Sequence, residues 1–195
     1  FTFSNGEFNS SVYISFSENG HINLDPADSK RIIPMSPSEH LTSMIHESGK
    51  SLSINNLPLE LTTDISFDLD VMLLTPNDEG YETQSEQLTM TWDVSNLPEG
   101  ISLSLVNNGT GQTVNLYGYP SMNVALPSKG GFSFPENLME TYPEVGESQF
   151  TLSVYTDIAS NVADIAINTT AISTLNDTPL GSFTSGSRIY TDAYN

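Results

Sequence analysis

The chain has 195 residues, no cysteine, and 24 acidic against five basic side chains, which gives a formal net charge of −19. Five cations cannot form the positive surface that nucleic acid or anionic lipid requires, so both are excluded as partners. The lack of cysteine excludes thiol catalysis, disulfide bonds and cysteine-ligated zinc, and no apolar run reaches the roughly 18 residues of a membrane-spanning helix.

The acidic residues are spread over most of the chain, and we expect most of them to lie on a hydrated surface. Such a surface suits a protein secreted into a salty medium, because salt screens charge repulsion beyond about 8–10 Å. Hydrophobic residues make up 37% of the chain, which is enough to build a buried core in a domain of this length. The charge pattern therefore indicates an extracellular or cell-surface location.

Alternation of polar and apolar residues predicts a series of short β-strands. In chain order these strands lie at 11–16, 50–54, 65–71, 88–92, 101–106, 113–116 and 149–155. Glycine-containing turns are predicted at 18–20 and 107–111, and short helical turns at 38–45 and 135–141. The apolar faces of the strands predict a core of Val12, Ile14, Phe16, Leu52, Ile54, Phe67, Leu69, Leu103, Leu105, Phe150 and Leu152.

Seven half-buried strands separated by turns are typical of an all-β fold. We assign residues 1–156 to an antiparallel, jelly-roll-like β-sandwich with very little helix. Residues 157–195 are richer in Thr, Ser, Asn and Ala. For them three interpretations stay open: added strands, a linker to a neighbouring domain, or an assembly segment that pairs with another chain. The apolar stretch 163–172 favours added strands.

The sequence carries no signature of catalysis. It has neither a Gly-x-Ser-x-Gly motif nor a complete Gly-x-x-x-x-Gly-Lys-Ser/Thr phosphate-binding loop. His40 and His46 are six residues apart, which is not the spacing of one helical face, and with His21 they are expected in surface loops. We therefore predict that the chain is not an enzyme.

The one tryptophan, Trp92, has two interpretations. It packs in the core, or it forms a sugar-stacking platform with Tyr117, Tyr119 or Tyr142, because flat aromatic rings offer an apolar face beside a polar edge. The second interpretation predicts a carbohydrate-binding module.

Calcium is the one cofactor that the acidic loops suggest, since Ca²⁺ takes carboxylate and carbonyl oxygens that converge from loops. Asp25 and Asp28, in the segment 23–28, are the predicted ligands, and a weaker cluster lies at 77–79. The same two aspartates equally suit capping of their own turn or pairing with Lys30 or Arg31.

Four short motifs follow one another in a recognisable order. They are Asp25-Pro26-Ala27-Asp28-Ser29-Lys30, Leu52-Ser53-Ile54-Asn55-Asn56-Leu57-Pro58, Leu97-Pro98-Glu99-Gly100 and Gln149-Phe150-Thr151-Leu152. This order resembles the β-sandwich module that precedes the sorting domain in large secreted proteins of the Bacteroidetes and related phyla. The resemblance covers the chain from about residue 10 to residue 156. Asn107 and Gln149 depart from it, because the family often has Asp and Arg at these places.

The resemblance implies a non-catalytic structural module of a larger secreted or cell-surface bacterial protein, exported by the type IX route. Such a module spaces, displays or assembles its neighbours, so its partners are adjoining domains or subunits of the same surface protein, and no active-site residues carry over. Two alternatives remain beside it: a subunit of an extracellular assembly that pairs through edge strands, and the carbohydrate-binding module.

Overall fold

The computed structural model describes residues 1–34, 36–137 and 139–156, and all regular structure in them is β. The strands are β1 (Thr2–Ser4), β2 (Asn9–Ser11), β3 (Tyr13–Ser17), β4 (Ser29–Lys30), β5 (His40–Glu47), β6 (Lys50–Pro58), β7 (Ile65–Pro76), β8 (Gly80–Gln84), β9 (Glu86–Thr91), β10 (Ile101–Asn107), β11 (Gln112–Val114), β12 (Ser121–Leu126), β13 (Gly131–Ser133) and β14 (Phe150–Thr156). The interpretations given above for residues 157–195 lie outside the described residues.

The strands form two sheets, which confirms the predicted all-β sandwich. The smaller sheet has the order β12-β9-β1-β2, and the larger one follows β11-β10-β14-β7-β5-β6-β3, with β4 added to β6, β8 to β7 and β13 to β8. Pairing is antiparallel except between β3 and β6, which run parallel. The long connection at 18–49 makes this one parallel pair feasible, because parallel neighbours need a crossover rather than a hairpin. The jelly-roll connectivity stays a prediction.

The main core lies between the two sheets, where Phe3 of β1 faces Phe150 of β14 with 6.0 Å between ring centroids. Eight of the predicted core residues are buried: Val12, Leu52, Phe67, Leu69, Leu103, Leu105, Phe150 and Leu152. Ile14 and Phe16 pack against them partly buried. Ile54 is only half-buried, and its assignment to the core is wrong. In β6 both Leu52 and Leu57 are buried in the core at an odd spacing, so the strict alternation on which the assignment rested does not hold.

A second apolar cluster covers the outer face of the larger sheet. Met44 of β5 and Met72 of β7 lie there under Tyr142, within the segment 127–149 that crosses this face. β5 and the second half of β7 are therefore buried on both faces. The helical turn predicted at 38–45 is wrong, because residues 40–47 form β5. Residues 41–46 are all buried, so the strand has no alternation of polarity to reveal it. The described residues of 135–141 contain no helix either.

Two tight turns set the register of neighbouring strands. Ser48 and Gly49 both have positive φ, 49° and 70°, which is the signature of a two-residue type I′ hairpin between β5 and β6. The hairpin predicted at 107–111 is confirmed between β10 and β11, with Gly111 at φ 68°. The turn at 18–20 forms, but it leads away from β3 instead of closing a hairpin.

Candidate functional site

Trp92 follows β9 directly and lies in the core between the sheets. Its side chain is only 8% exposed, and its indole Nε1 donates a hydrogen bond to the carbonyl oxygen of Leu116 at 2.8 Å. Its backbone N–H donates to the carbonyl of Pro120 at 3.3 Å. Of the two interpretations of Trp92, core packing is therefore the correct one. A buried ring cannot stack on a sugar, and Tyr142 is buried as well, so the predicted platform is reduced to Tyr117 and Tyr119.

Tyr117 and Tyr119 lie in the loop between β11 and β12. Trp92 donates hydrogen bonds to this loop on either side of them, at Leu116 and Pro120. The two tyrosines are 61% and 83% exposed. The Tyr117 hydroxyl oxygen accepts a hydrogen bond from the backbone N–H of Leu103 at 2.9 Å. This N–H of β10 is therefore paired with a side chain instead of with a neighbouring strand. A Cβ at Gly118 would lie 2.7 Å from the side-chain amide of Asn115, so a larger residue there would have to displace that side chain. These hydrogen bonds position the loop, and Tyr119 is exposed to solvent at its end.

Asp25 and Asp28 lie together, but most of their carboxylate oxygens bind backbone amides. Asp28 Oδ1 accepts from Asn56 N and Asp28 Oδ2 from Asp25 N, both at 2.8 Å, and Asp25 Oδ1 accepts from Ala27 N at 2.5 Å. This is the turn-capping alternative. The fourth oxygen, Asp25 Oδ2, is buried without a partner among the described residues. In the second cluster, Asn77 likewise caps its own turn.

Glu47, at the end of β5, is a third carboxylate close to this turn, and no sequence motif indicates its proximity. Burial and the neighbouring Asp28 and Asp25 carboxylates raise the pKa of Glu47, although Asn55 Nδ2 donates a hydrogen bond to it at 2.9 Å. Within the described ranges, no three His, Asp or Glu side chains are arranged so as to hold a metal ion. Calcium at Asp25 and Asp28 stays a prediction.

Added Ca²⁺ is expected to raise the melting temperature of the wild type more than that of the Glu47→Gln variant, because a divalent cation relieves repulsion that involves Glu47. The measurement is thermal unfolding by circular dichroism at constant ionic strength, with Glu39→Gln, an exposed carboxylate outside the turn, as the matched control. Equal rises in all three proteins, or a rise that NaCl reproduces, would mean that salt only screens the net charge.

A buried polar network fastens the segment 127–149 to the larger sheet. Asp70 of β7 is 1% exposed, and its Oδ1 accepts from Lys129 Nζ at 2.6 Å and from Val71 N at 2.9 Å. His46 Nε2 lies 4.0 Å from Asp70 Oδ2, beyond hydrogen-bond range. The other ring nitrogen, His46 Nδ1, is 3.1 Å from Ser51 Oγ, which in turn donates to the Tyr142 carbonyl at 2.5 Å.

The prediction that the histidines lie in surface loops is confirmed for His21, which is exposed outside the strands, and is wrong for His40 and His46. His40 and His46 are both in β5, and His46 is buried. His40 Nε2 is 2.7 Å from the Tyr142 hydroxyl, and burial raises the pKa of Tyr142 to about 12. The spacing of six residues, an even number, is what places both rings on the same face of a strand.

The network also places a serine, a histidine and an aspartate in sequence, as acyl-transfer enzymes do. The Ser51 hydroxyl has one proton, and the Tyr142 carbonyl, which can only accept, takes it. His46 therefore cannot act as the base for Ser51 in this arrangement. Ser51 is also fully buried. The hydrogen bonds of Ser51 and Asp70 attach the segment 127–149 to the larger sheet.

One edge of the molecule has no charged side chain. Residues 101–128, which comprise β10, β11, the tyrosine loop and β12, contain no Asp, Glu, Lys or Arg. β11 and β12 are the outermost strands of the two sheets on this side, and a cleft of about 610 Å³ opens between them. We call residues 101–128 the uncharged edge.

Comparisons with protein-family models, with curated protein sequences and with solved structures gave no match, so no family is assigned to the chain. The likeness to the type IX module therefore stays an expectation. In the part of the chain that the structure describes, no helix is long and apolar enough to cross a membrane.

Proposed function

We propose that the chain is a non-catalytic structural module of a larger secreted or cell-surface bacterial protein, in which it spaces or displays neighbouring domains. The observation that carries the proposal is the Ser51–His46–Asp70 array. It unites the side chains best suited to nucleophilic chemistry, and their hydrogen bonds join the covering segment to the sheet. These polar groups therefore stabilise the fold and perform no chemistry.

The charge distribution supports the same proposal. A formal charge of −19 keeps most of the surface hydrated and repels other acidic copies. The uncharged edge is free of this repulsion, so it is the surface on which an adjoining domain or subunit would lie. A module with one neutral side and acidic surroundings suits contact with defined neighbours in an extracellular protein.

The Ser51→Ala variant is expected to lose stability and no activity. Ser51 gives up a buried hydrogen bond, and we expect the free energy of unfolding to fall by about 1–3 kcal/mol. Wild type and variant are compared by urea unfolding, by labelling with a fluorophosphonate serine-hydrolase probe, and by hydrolysis of nitrophenyl esters and glycosides. Ser153→Ala, which removes a more exposed hydroxyl, is the control. Labelling or turnover that Ser51→Ala removes would contradict the proposal.

The exposed tyrosines favour carbohydrate binding as a second candidate function. Tyr119→Ala is expected to weaken retention on neutral polysaccharides by tenfold or more in affinity gel electrophoresis, with an unchanged melting temperature, because the ring contacts solvent and little else. Tyr13→Ala, an exposed tyrosine at the far edge of the larger sheet, is the matched control. If the wild type is not retained on any neutral polysaccharide, this candidate fails and the structural proposal stands alone.

A further inference from the structure

We propose that the cleft between β11 and β12 accepts an uncharged, extended peptide strand from a neighbouring domain or subunit. The inference rests on the proposed structural function and names the surface and the kind of partner that carry it out. It follows from the strand edges, the polar groups at one end of the cleft and the charge of its walls.

The walls of the cleft are two open strand edges. Among the described strands, β11 pairs only with β10 and β12 only with β9, so the outer edges of β11 and β12 offer backbone N–H and C=O groups to another strand. β12 contains no charged residue and no proline, which are the usual means by which edge strands avoid pairing. At about 3.4 Å per residue, its six residues offer about 20 Å of edge.

The cleft has an apolar floor and two side-chain amides at one end. Val124 and Leu126 of β12 and Val114 of β11 are buried along it. Asn107 and Gln149 also line the cleft and are only 7% and 6% exposed, with 3.5 Å between Asn107 Oδ1 and Gln149 Nε2.

The other ends of the two amides, Asn107 Nδ2 and Gln149 Oε1, form no hydrogen bond with the described part of the chain. One is a donor and the other an acceptor, which are the two groups that a peptide unit needs opposite its own C=O and N–H. Neither atom is among the buried unpartnered ones, so solvent in the cleft reaches both, and a peptide unit of a bound strand can replace water as their partner.

The lining selects the charge of the partner. None of the fourteen residues that line the cleft is charged, although the chain as a whole carries −19. A charged strand would lose its hydration there without gaining an ion pair, and an acidic one would also be repelled by the surrounding surface. None of the lining residues is aromatic, so the cleft offers no stacking surface to a sugar ring. An uncharged peptide therefore fits the cleft better than a glycan does.

The test uses the full chain and a fluorescein-labelled synthetic peptide with the sequence of residues 165–172, which contains no charged residue and is rich in Ile, Ala and Thr. Fluorescence polarisation is expected to show saturable binding. Ala125→Asp, which puts a charge on an exposed cleft position of β12, is expected to weaken binding at least tenfold. Ser66→Asp, an exposed position of β7 outside the cleft, is the matched control and should change the dissociation constant less than twofold. Melting curves confirm that both variants fold.

Three results would overturn the inference. They are the absence of peptide binding, equal weakening by both variants, and binding that appears only when Ile165 and Ile167 of the full chain are replaced with Asp. The last result would mean that the chain fills its own cleft. None of them bears on Ser51, so the proposed non-catalytic function would still be judged separately by the labelling experiment.

Discussion

Replacing Lys129 with methionine is expected to lower the free energy of unfolding by about 3–5 kcal/mol. The ammonium of Lys129 is the one cation in contact with Asp70 within the described residues, at 2.6 Å, and both side chains are almost fully buried. Methionine fills a similar volume but leaves the Asp70 carboxylate buried without a counter-charge. Urea unfolding followed by circular dichroism at pH 7 measures the change.

Lys50→Met is the control, because Lys50 is exposed at the start of β6. Its removal should change stability by less than about 0.5 kcal/mol. The double replacement of Lys129 with methionine and Asp70 with leucine should recover much of the loss, since an apolar pair of similar volume needs no desolvation of charge. A Lys129→Met protein as stable as the wild type would show that the ion pair contributes nothing.

The same pair gives stability a defined dependence on pH. Burial opposes ionisation of Asp70, but the neighbouring His46 ring, the Lys129 ammonium and the N–H of Val71 outweigh it and lower the pKa of Asp70 below its ordinary 3.8. The stabilisation is therefore complete above about pH 4 and is lost as pH falls through the lowered pKa of the folded state. The stability difference between wild type and Asp70→Asn should be constant from pH 7 to about pH 5 and shrink below about pH 4.

Replacing Phe150 with alanine is expected to lower the free energy of unfolding by about 3–5 kcal/mol. Phe150 is fully buried at the start of β14, where its ring meets Phe3 of the opposite sheet. Removal of the ring leaves a cavity between two sheets whose backbones cannot close it. Chemical unfolding at pH 7 gives the magnitude.

Tyr155→Ala is the matched control on the same strand. Tyr155 is 39% exposed and points away from the core, so its truncation should lower stability by less than about 1 kcal/mol. If both variants lost equal stability, the effect would come from β14 as a strand and the buried contact of Phe150 would not be the cause.

The sequence predicts those strands that have one buried and one exposed face. In β10, Leu103 and Leu105 alternate with more exposed residues, and the period of two is visible without a structure. β5 gives no such signal, because the main core buries one of its faces and the segment 127–149 buries the other. A strand buried on both sides resembles an apolar helix in its composition. Only the tight turn at Ser48 and Gly49 could have indicated a hairpin there.

The candidate sites, too, could be predicted from the sequence only where their residues are close together in the chain. Asp25 and Asp28 are close in the chain, so their proximity in the structure was predictable, and so was the turn that they cap. Lys129 and Asp70 are 59 residues apart and meet only because a loop crosses the sheet. The uncharged edge was readable from residues 101–128, but the cleft was not, since it depends on two sheets ending side by side.

The place of β14 in the larger sheet has a consequence for how the protein reaches its native state. This last described strand lies between β10 and β7, and it joins β11-β10 to the remaining strands of the sheet. A nascent chain that lacks residues 150–156 therefore cannot connect β10 and β11 to the rest of the larger sheet. We expect folding to start only after residue 156 has left the ribosome, and to take milliseconds to seconds, as in other sandwiches rich in contacts between distant parts of the chain.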